Sequence, residues 1–297
     1  MHSEGFRPVA VDPDLDVAYG FKRKDGRSAL YSLSLDGTLT EKLVFARDDV
    51  DIDDVWRIGR RQRVIGATYS TDVPHVYFLD PAIDSLTASI SRALPGHPAL
   101  EIQESSSDES KLIIFAPSDT DAGVYYILDR GTHQLATFFV ARNALENVKL
   151  ATVKPITYPA ADGTQVPGYL TLPPGVTNPK GLPAIVMPHG GPAARDQWGF
   201  DPFAQFWAAR GFAVLQPNFR GSAGYGEEWF HVNGWRAWPL AIGDVLDGGR
   251  WLVAQGIADP AKLAVFGGSY GGCAAGGSRR SNGVQGGDRA GTRDRPH

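Results

Sequence analysis

Leu263-Ala264-Val265-Phe266-Gly267-Gly268-Ser269-Tyr270-Gly271-Gly272 decides how the C-terminal half of this chain is read. Four consecutive apolar residues suit a short buried strand. Glycines on both sides of one serine let the backbone reverse sharply and enter a helix. The serine hydroxyl is then held exposed above the strand end. Alone, Gly-x-Ser-x-Gly is a weak signal in a chain with 35 glycines, where a plain Gly/Ser turn competes with it. A second element upstream strengthens it: Pro188-His189-Gly190-Gly191-Pro192 closes the apolar run Ile185-Val186-Met187.

Between and around these two elements, strand and helix patterns alternate. Pro183 to Met187 reads as a buried strand, Phe203 to Arg210 as a helix capped by Gly211, and Phe212 to Leu215 as another strand. A second helix is expected from Ile242 to Ala254, with Val245, Trp251, Leu252 and possibly Leu246 on its apolar stripe and Gly256 behind it. Asp259-Pro260 leads into the strand before Ser269. This alternation predicts a parallel sheet covered on both faces. Upstream, Lys154 to Tyr158, a turn at Ala161 to Thr164, and Val166 to Leu172 read as a hairpin.

The first 150 residues follow another rule. Short strands recur in pairs: 18–21 with 31–36, 64–67 with 76–80, and 112–115 with 126–129. Each pair ends in Leu-Asp, at Asp36, Asp80 and Asp129, spacings of 44 and 49 residues. A period in the forties built of strands, with no helical pattern between them, is that of β-propeller blades; a β-sandwich is the alternative. Three such units are fewer than a closed ring requires.

A strand feeding Gly-x-Ser-x-Gly resembles the nucleophile elbow of the α/β-hydrolases, and the His-Gly-Gly-Pro loop resembles the loop that supplies half of their oxyanion hole. The resemblance then narrows. His-Gly-Gly-Pro, Asn218-Phe219-Arg220-Gly221-Ser222-Ala223-Gly224-Tyr225-Gly226, Trp251-Leu252 with Gly256-Ile257-Ala258-Asp259-Pro260, and Gly-Gly-Ser-Tyr-Gly-Gly occur in this order. Together, over residues 153–275, they resemble the catalytic domain of the prolyl oligopeptidase family of serine peptidases, nearest its acylaminoacyl-peptidase-like subgroup. The fold implied is an α/β-hydrolase domain preceded by an all-β partial propeller of about three blades. The divisions are 1–150 for the propeller part, 151–277 for the N-terminal part of the hydrolase domain, and 278–297 for a Gly/Arg-rich tail.

By that resemblance Ser269 is the nucleophile, while the amides of Gly191 and Tyr270 stabilise the oxyanion of acyl transfer. Asn218, Arg220 and Tyr225 match a loop near the site, where shaping the loop and contacting substrate are both open. His189 is expected to fix its loop rather than act as base, and His75 and His231 to be structural. Asp244 is expected to serve as an ion-pair or cap partner, with Gly243 in place of an acidic neighbour. The family order continues from Ser to Asp to His, but after Cys273-Ala274-Ala275 the pattern changes abruptly. The final twenty residues hold five arginines, no lysine and two aspartates, without hydrophobic periodicity. This reads as a shifted frame or a truncation, so the hydrolase domain is expected to lack its later strands and the triad Asp and His. Asp288, Asp294 and His297 in the tail are poor substitutes.

Composition excludes other classes. Hydrophobic residues at 42% and charged residues at 21% suit a folded soluble protein. A net charge of −4 offers no basic footprint for nucleic acid or an anionic membrane surface. No apolar run has the length of a membrane span, and the N-terminus does not read as a signal peptide, which points to the cytoplasm. Cys273 is the only cysteine, so neither an internal disulfide nor a cysteine-based zinc site is expected. The expected function is serine-type hydrolysis of short peptides through an acyl-enzyme on Ser269, needing no metal or organic cofactor, with this polypeptide itself an inactive fragment. Alternatives are an α/β-hydrolase esterase and a non-catalytic binding remnant. Oligomeric state is left open.

Overall fold

In a computed structural model the described residues are 5–191, 193–231 and 238–272. The chain forms two compact units. One comprises Met1–Leu150 with two later pieces, Gln197–Phe200 and Gly224–Trp229; the other comprises Ala151–Asp196, Asp201–Ala223 and the chain from Phe230 onward.

The N-terminal unit consists of three antiparallel sheets in chain order. The first is β1(Arg7–Asp12), β2(Val17–Lys24), β3(Arg27–Ser34) and β4(Glu41–Phe45). The second is β5(Ile52–Ile58), β6(Arg63–Ser70) and β7(Pro74–Phe78). The third is β8(Glu101–Ser105), β9(Lys111–Ala116), β10(Val124–Asp129) and β11(Gln134–Val140). Each sheet is a meander, the architecture of propeller blades. Apolar residues pack between successive sheets. Tyr19, Phe21 and Leu30 meet Ile52, Val55 and Val64, while Ile58 and Ile65 meet Leu112 and Ile114. Alternation along β9 buries Leu112, Ile114 and Ala116. On its other side Phe115, Tyr125 and Phe139 stack in series at 4.4 and 4.3 Å.

The expectation of no helix in this unit is corrected. α1(Pro81–Ala93) follows the second sheet. Asp80, read as a strand end, is its N-cap: Oδ1 accepts from the Ala82 and Ile83 amides, and Pro81 begins the helix. Ile83, Thr87 and Ile90 recur at helical spacing and are buried. Arg63 pairs with both Asp80 and Glu109 at 2.8 Å, tying this cap to the turn before β9.

The second unit is built on one five-stranded sheet, ordered β12(Val153–Pro159), β13(Gln165–Thr171), β15(Ala213–Pro217), β14(Leu182–Val186), β16(Ala258–Val265). β14 lies parallel to both β15 and β16. The predicted hairpin is β12–β13, and β13 joins β15 antiparallel, so the sheet is mixed rather than wholly parallel. α2(Pro202–Ala209) is capped by Asp201, whose Oδ1 accepts from the Ala204 amide at 2.7 Å. The short α3(Glu227–His231), whose first three residues belong to the N-terminal unit, precedes α4(Trp238–Ala254) in the chain. α4 begins four residues earlier than expected, and its buried face is Ala241, Asp244, Val245, Asp247, Gly248, Gly249 and Leu252. Gly248 lies against the sheet: a Cβ there would come within 2.9 Å of Leu215 and 3.1 Å of the Tyr158 ring. Val245 and Leu252 of the expected stripe are buried and Leu246 and Trp251 are half-buried, and the close helix–sheet approach adds two glycines and two aspartates to that face. No helix among the described residues is long and apolar enough to cross a membrane.

Candidate active site

Parallel strands β14 and β16 end side by side, the Phe266 amide donating to the Val186 carbonyl at 3.0 Å. Their two following loops therefore meet at the carboxyl edge of the sheet, where α/β folds place ligands. Ser269 occupies the turn after β16 with φ 53°, a left-handed conformation that costs energy for a residue with a side chain. Its side chain is exposed, and the Gly272 amide donates to its carbonyl at 3.0 Å as the helical turn begins. The elbow is compact because Gly271 abuts the Pro188 backbone. A Cβ on Gly271 would overlap the Pro188 carbonyl oxygen and sit 3.1 Å from that of His189. A Cβ on Gly190 would lie 3.6 Å from the Ser269 Cβ, so the backbone at 190 directly faces the serine. Gly191 follows with φ 113°.

The other predicted residues separate into two groups. Asn218, fully buried, clasps the chain after the His-Gly-Gly loop. Its Oδ1 accepts from the Asp196 amide at 2.7 Å and its Nδ2 donates to the Asp196 carbonyl at 3.0 Å. Arg220 directs its guanidinium to Asp244, with Nη2–Oδ1 2.6 Å and Nε within 3.1 Å, and to Asp162 at 2.5 Å. The Arg220 amide also donates to Asp244 Oδ2 at 2.9 Å. These carboxylates hold the guanidinium above its ordinary pKa, and Arg220 draws Asp162 down to about 2. Tyr225 belongs to the N-terminal unit, its ring 5.8 Å from Trp229.

His189 is engaged at both ring nitrogens: Nδ1 lies 2.7 Å from the Gly190 carbonyl oxygen and Nε2 2.8 Å from Ser222 Oγ. Its ring stacks on Phe219 at 4.4 Å, and Phe219 in turn stacks near Tyr270 at 5.9 Å. His75 is held in the N-terminal unit, with Nε2 2.8 Å from Thr71 Oγ1 and its ring stacked on Tyr69. It lines a cavity of about 580 Å³ within that unit, together with Trp56, Tyr69, Phe78, Glu101 and Trp198. Among the described residues, no histidine or carboxylate hydrogen-bonds the Ser269 hydroxyl. The side chain of His231, and Cys273, Asp288, Asp294 and His297 with the whole tail, lie outside the described residues.

Asp196 is a residue that sequence reasoning missed. Its carboxyl is pushed up to about 7, first by burial and second by the nearby Asp201, against a weak 3.3 Å donation from Gln216 Nε2. Its Oδ2 is buried without a hydrogen-bond partner. The unfolded chain ionises Asp196 near the usual carboxylate pKa, whereas the folded chain keeps it protonated until about pH 7. Its contribution to stability is therefore full at low pH and is lost as pH rises across that window. Asp196→Asn is expected to reduce the loss of stability between pH 4 and pH 8 by roughly 3 kcal/mol. Urea denaturation of both chains at the two pH values measures this; parallel pH slopes would refute it.

Residues 198–280 match the profile of the Prolyl oligopeptidase family. Over that stretch the chain is similar to the prolyl oligopeptidase family. It is 32% identical over 202 residues to dipeptidyl aminopeptidase BIII of Pseudoxanthomonas mexicana, covering 66% of this chain and 29% of that protein. It is 34% identical over 90 residues to acylamino-acid-releasing enzyme 1 of Oryza sativa subsp. japonica, covering 30% and 12% respectively. The chain thus spans less than a third of the length of either curated relative. Among solved structures it is similar to a puromycin hydrolase, with a TM-score of 0.72 and 21% identity over 93% of this chain and 42% of that one. At that identity the likeness speaks to fold, and it agrees with an all-β propeller part followed by an α/β-hydrolase part.

Proposed function

We propose that this chain carries the nucleophile and the oxyanion-binding elements of a serine peptidase acting on short peptides. The observation that carries the reading is Ser269 in a left-handed turn with the backbone of Gly190 directly against it. In this reading Ser269 Oγ attacks the scissile carbonyl and its proton passes to a general base. The carbonyl oxygen gains negative charge and accepts from the Gly191 and Tyr270 amides. The tetrahedral adduct then expels the amine, which takes up a proton, and water hydrolyses the acyl-serine. His189 is not that base, because both of its nitrogens are committed to the loops that shape the site. Asn218 and Arg220 serve the same loops through Asp196 and Asp244.

A fluorophosphonate probe tests the assignment by intact mass and peptide mapping. A stoichiometric adduct at Ser269 is expected, absent in Ser269→Ala. It should form more slowly than on a serine hydrolase whose serine is paired with a base, since no described group activates this hydroxyl. An adduct unaffected by Ser269→Ala, or none while a control hydrolase reacts, would instead support a non-catalytic role. Turnover of peptide anilides against simple esters then distinguishes a peptidase from an esterase.

A further inference from the structure

The contacts of His189 form a closed account of protons. Nδ1 lies 2.7 Å from the Gly190 carbonyl oxygen. A carbonyl only accepts, so Nδ1 carries a hydrogen. Ser222 Oγ lies 2.6 Å from the Phe219 carbonyl oxygen, so its single proton points there. The third contact, 2.8 Å between His189 Nε2 and Ser222 Oγ, also needs a hydrogen, and the hydroxyl has none left. Nε2 must supply it. All three contacts coexist only when the imidazole is protonated on both nitrogens. Removing one proton sets two lone pairs against each other, and one contact must give way.

Resting on the reading of Ser269 as nucleophile, we propose that His189 is a positioning residue. Its doubly protonated ring welds the loop bearing Gly190 and Gly191 to the turn at 219–222, and the weld loosens at Ser222 when Nε2 loses its proton. The hydroxyl is the cheapest group to move, so it rotates from the Phe219 carbonyl toward Nε2 while Nδ1 keeps Gly190. The Phe219 carbonyl keeps its bond from the Ser222 amide, at 3.0 Å. Its ring lies between His189 and Tyr270, so the change reaches both loops that flank Ser269.

The charged groups around the ring set where this happens. Arg195, on the same loop, disfavours the cation, and among the described residues no carboxylate opposes it. Arg220, next to Phe219, is held by Asp162 and Asp244. Burial is the largest influence and lowers the pKa of His189 below its ordinary value; the bond to the Gly190 carbonyl opposes it, and Arg195 adds to it. The weld therefore belongs to mildly acidic solution, and the loosened form to neutral solution.

The test is long-range ¹H–¹⁵N NMR of histidine-labelled chain, with His189→Gln identifying the signal. A midpoint below 6.5 is expected, with both nitrogens protonated beneath it and only Nδ1 protonated above it. Ser222→Ala should lower the midpoint by roughly half to one pH unit, because Nε2–H loses its acceptor. A neutral ring protonated at Nε2, or a midpoint unmoved by Ser222→Ala, would overturn the proposal. The wild-type tautomer decides even where a variant folds poorly. In parallel, the rate of adduct formation at Ser269 should show an inflection at the same midpoint, absent in His189→Gln. No adduct at any pH would count against the nucleophile, whereas adducts without that inflection would count against the weld.

Discussion

Asp244→Ala is expected to lower the stability of the sheet-based second unit by about 3–5 kcal/mol. Asp244 is fully buried on the inner face of α4, and its carboxylate accepts from three donors of one residue, the Arg220 amide, Nε and Nη2. The Arg220 side chain is only 14% exposed, so truncating its inner partner leaves Nε and Nη2 without their carboxylate where water can barely reach, with only Nη1 still held by Asp162. Tyr158 donates to the Asp244 carbonyl at 2.8 Å, a backbone contact that survives the substitution. The loss therefore reports the carboxylate. Asp162→Ala, at the solvent end of the same pair, is the comparison, since that partner is 48% exposed and should matter far less. Urea unfolding monitored by hydrogen exchange in β15 and α4 separates the two variants. Equal losses would show that the buried end carries no special weight.

Gly271→Ala is expected to reduce adduct formation at Ser269 by at least about 100-fold. The added methyl cannot coexist with the Pro188 carbonyl oxygen, and that oxygen is backbone, so neither neighbour can turn aside. Either the elbow or the loop carrying Gly190 and Gly191 must shift, which removes the serine from its proposed oxyanion donors. A global cost of about 1–3 kcal/mol accompanies the overpacking. Gly268→Ala is the control: a Cβ there meets nothing within 4 Å, and labelling should change by no more than a few-fold. Wild-type labelling in Gly271→Ala would mean that the two loops do not form a shared site.

The features legible in the sequence were those whose physics is local. Glycines around Ser269, the apolar strands before each loop, and the order of the loops are readable because each needs only its neighbours. α1 escaped because its surroundings are all strand, although Asp80-Pro81 and the spacing of Ile83, Thr87 and Ile90 are a helix signature. Val245 and Leu252 were legible on the buried face of α4, but its start and the rest of that face were not, because the other buried positions include two aspartates and two glycines. His189 was expected to fix its loop and Asp244 to be an ion-pair or cap partner, but the partners that set the loops of the candidate site could not be read. Asp196 meets Asn218 across 22 residues, His189 meets Ser222 across 33, and Asp162 meets Arg220 across 58. Nothing within a local window marks the other partner of such pairs.

The N-terminal unit also sets a constraint in time. Asp51 holds the Ser28 amide with one oxygen at 2.7 Å and the Gly226 amide with the other at 3.0 Å, while its own amide donates to the Gly224 carbonyl. The Glu227 amide donates to the Gly26 carbonyl, and its carboxylate pairs with Arg23. On a ribosome adding about 5–20 residues per second, Asp51 waits roughly 10–35 s for a partner 175 positions downstream. Through that interval the blade edge at Gly26, Ser28 and Asp51 is without the segment that completes it. A gene divided after Leu150 would make the absence permanent, so dissection of this protein at its apparent midpoint should yield a first half that never acquires its last hydrogen bonds.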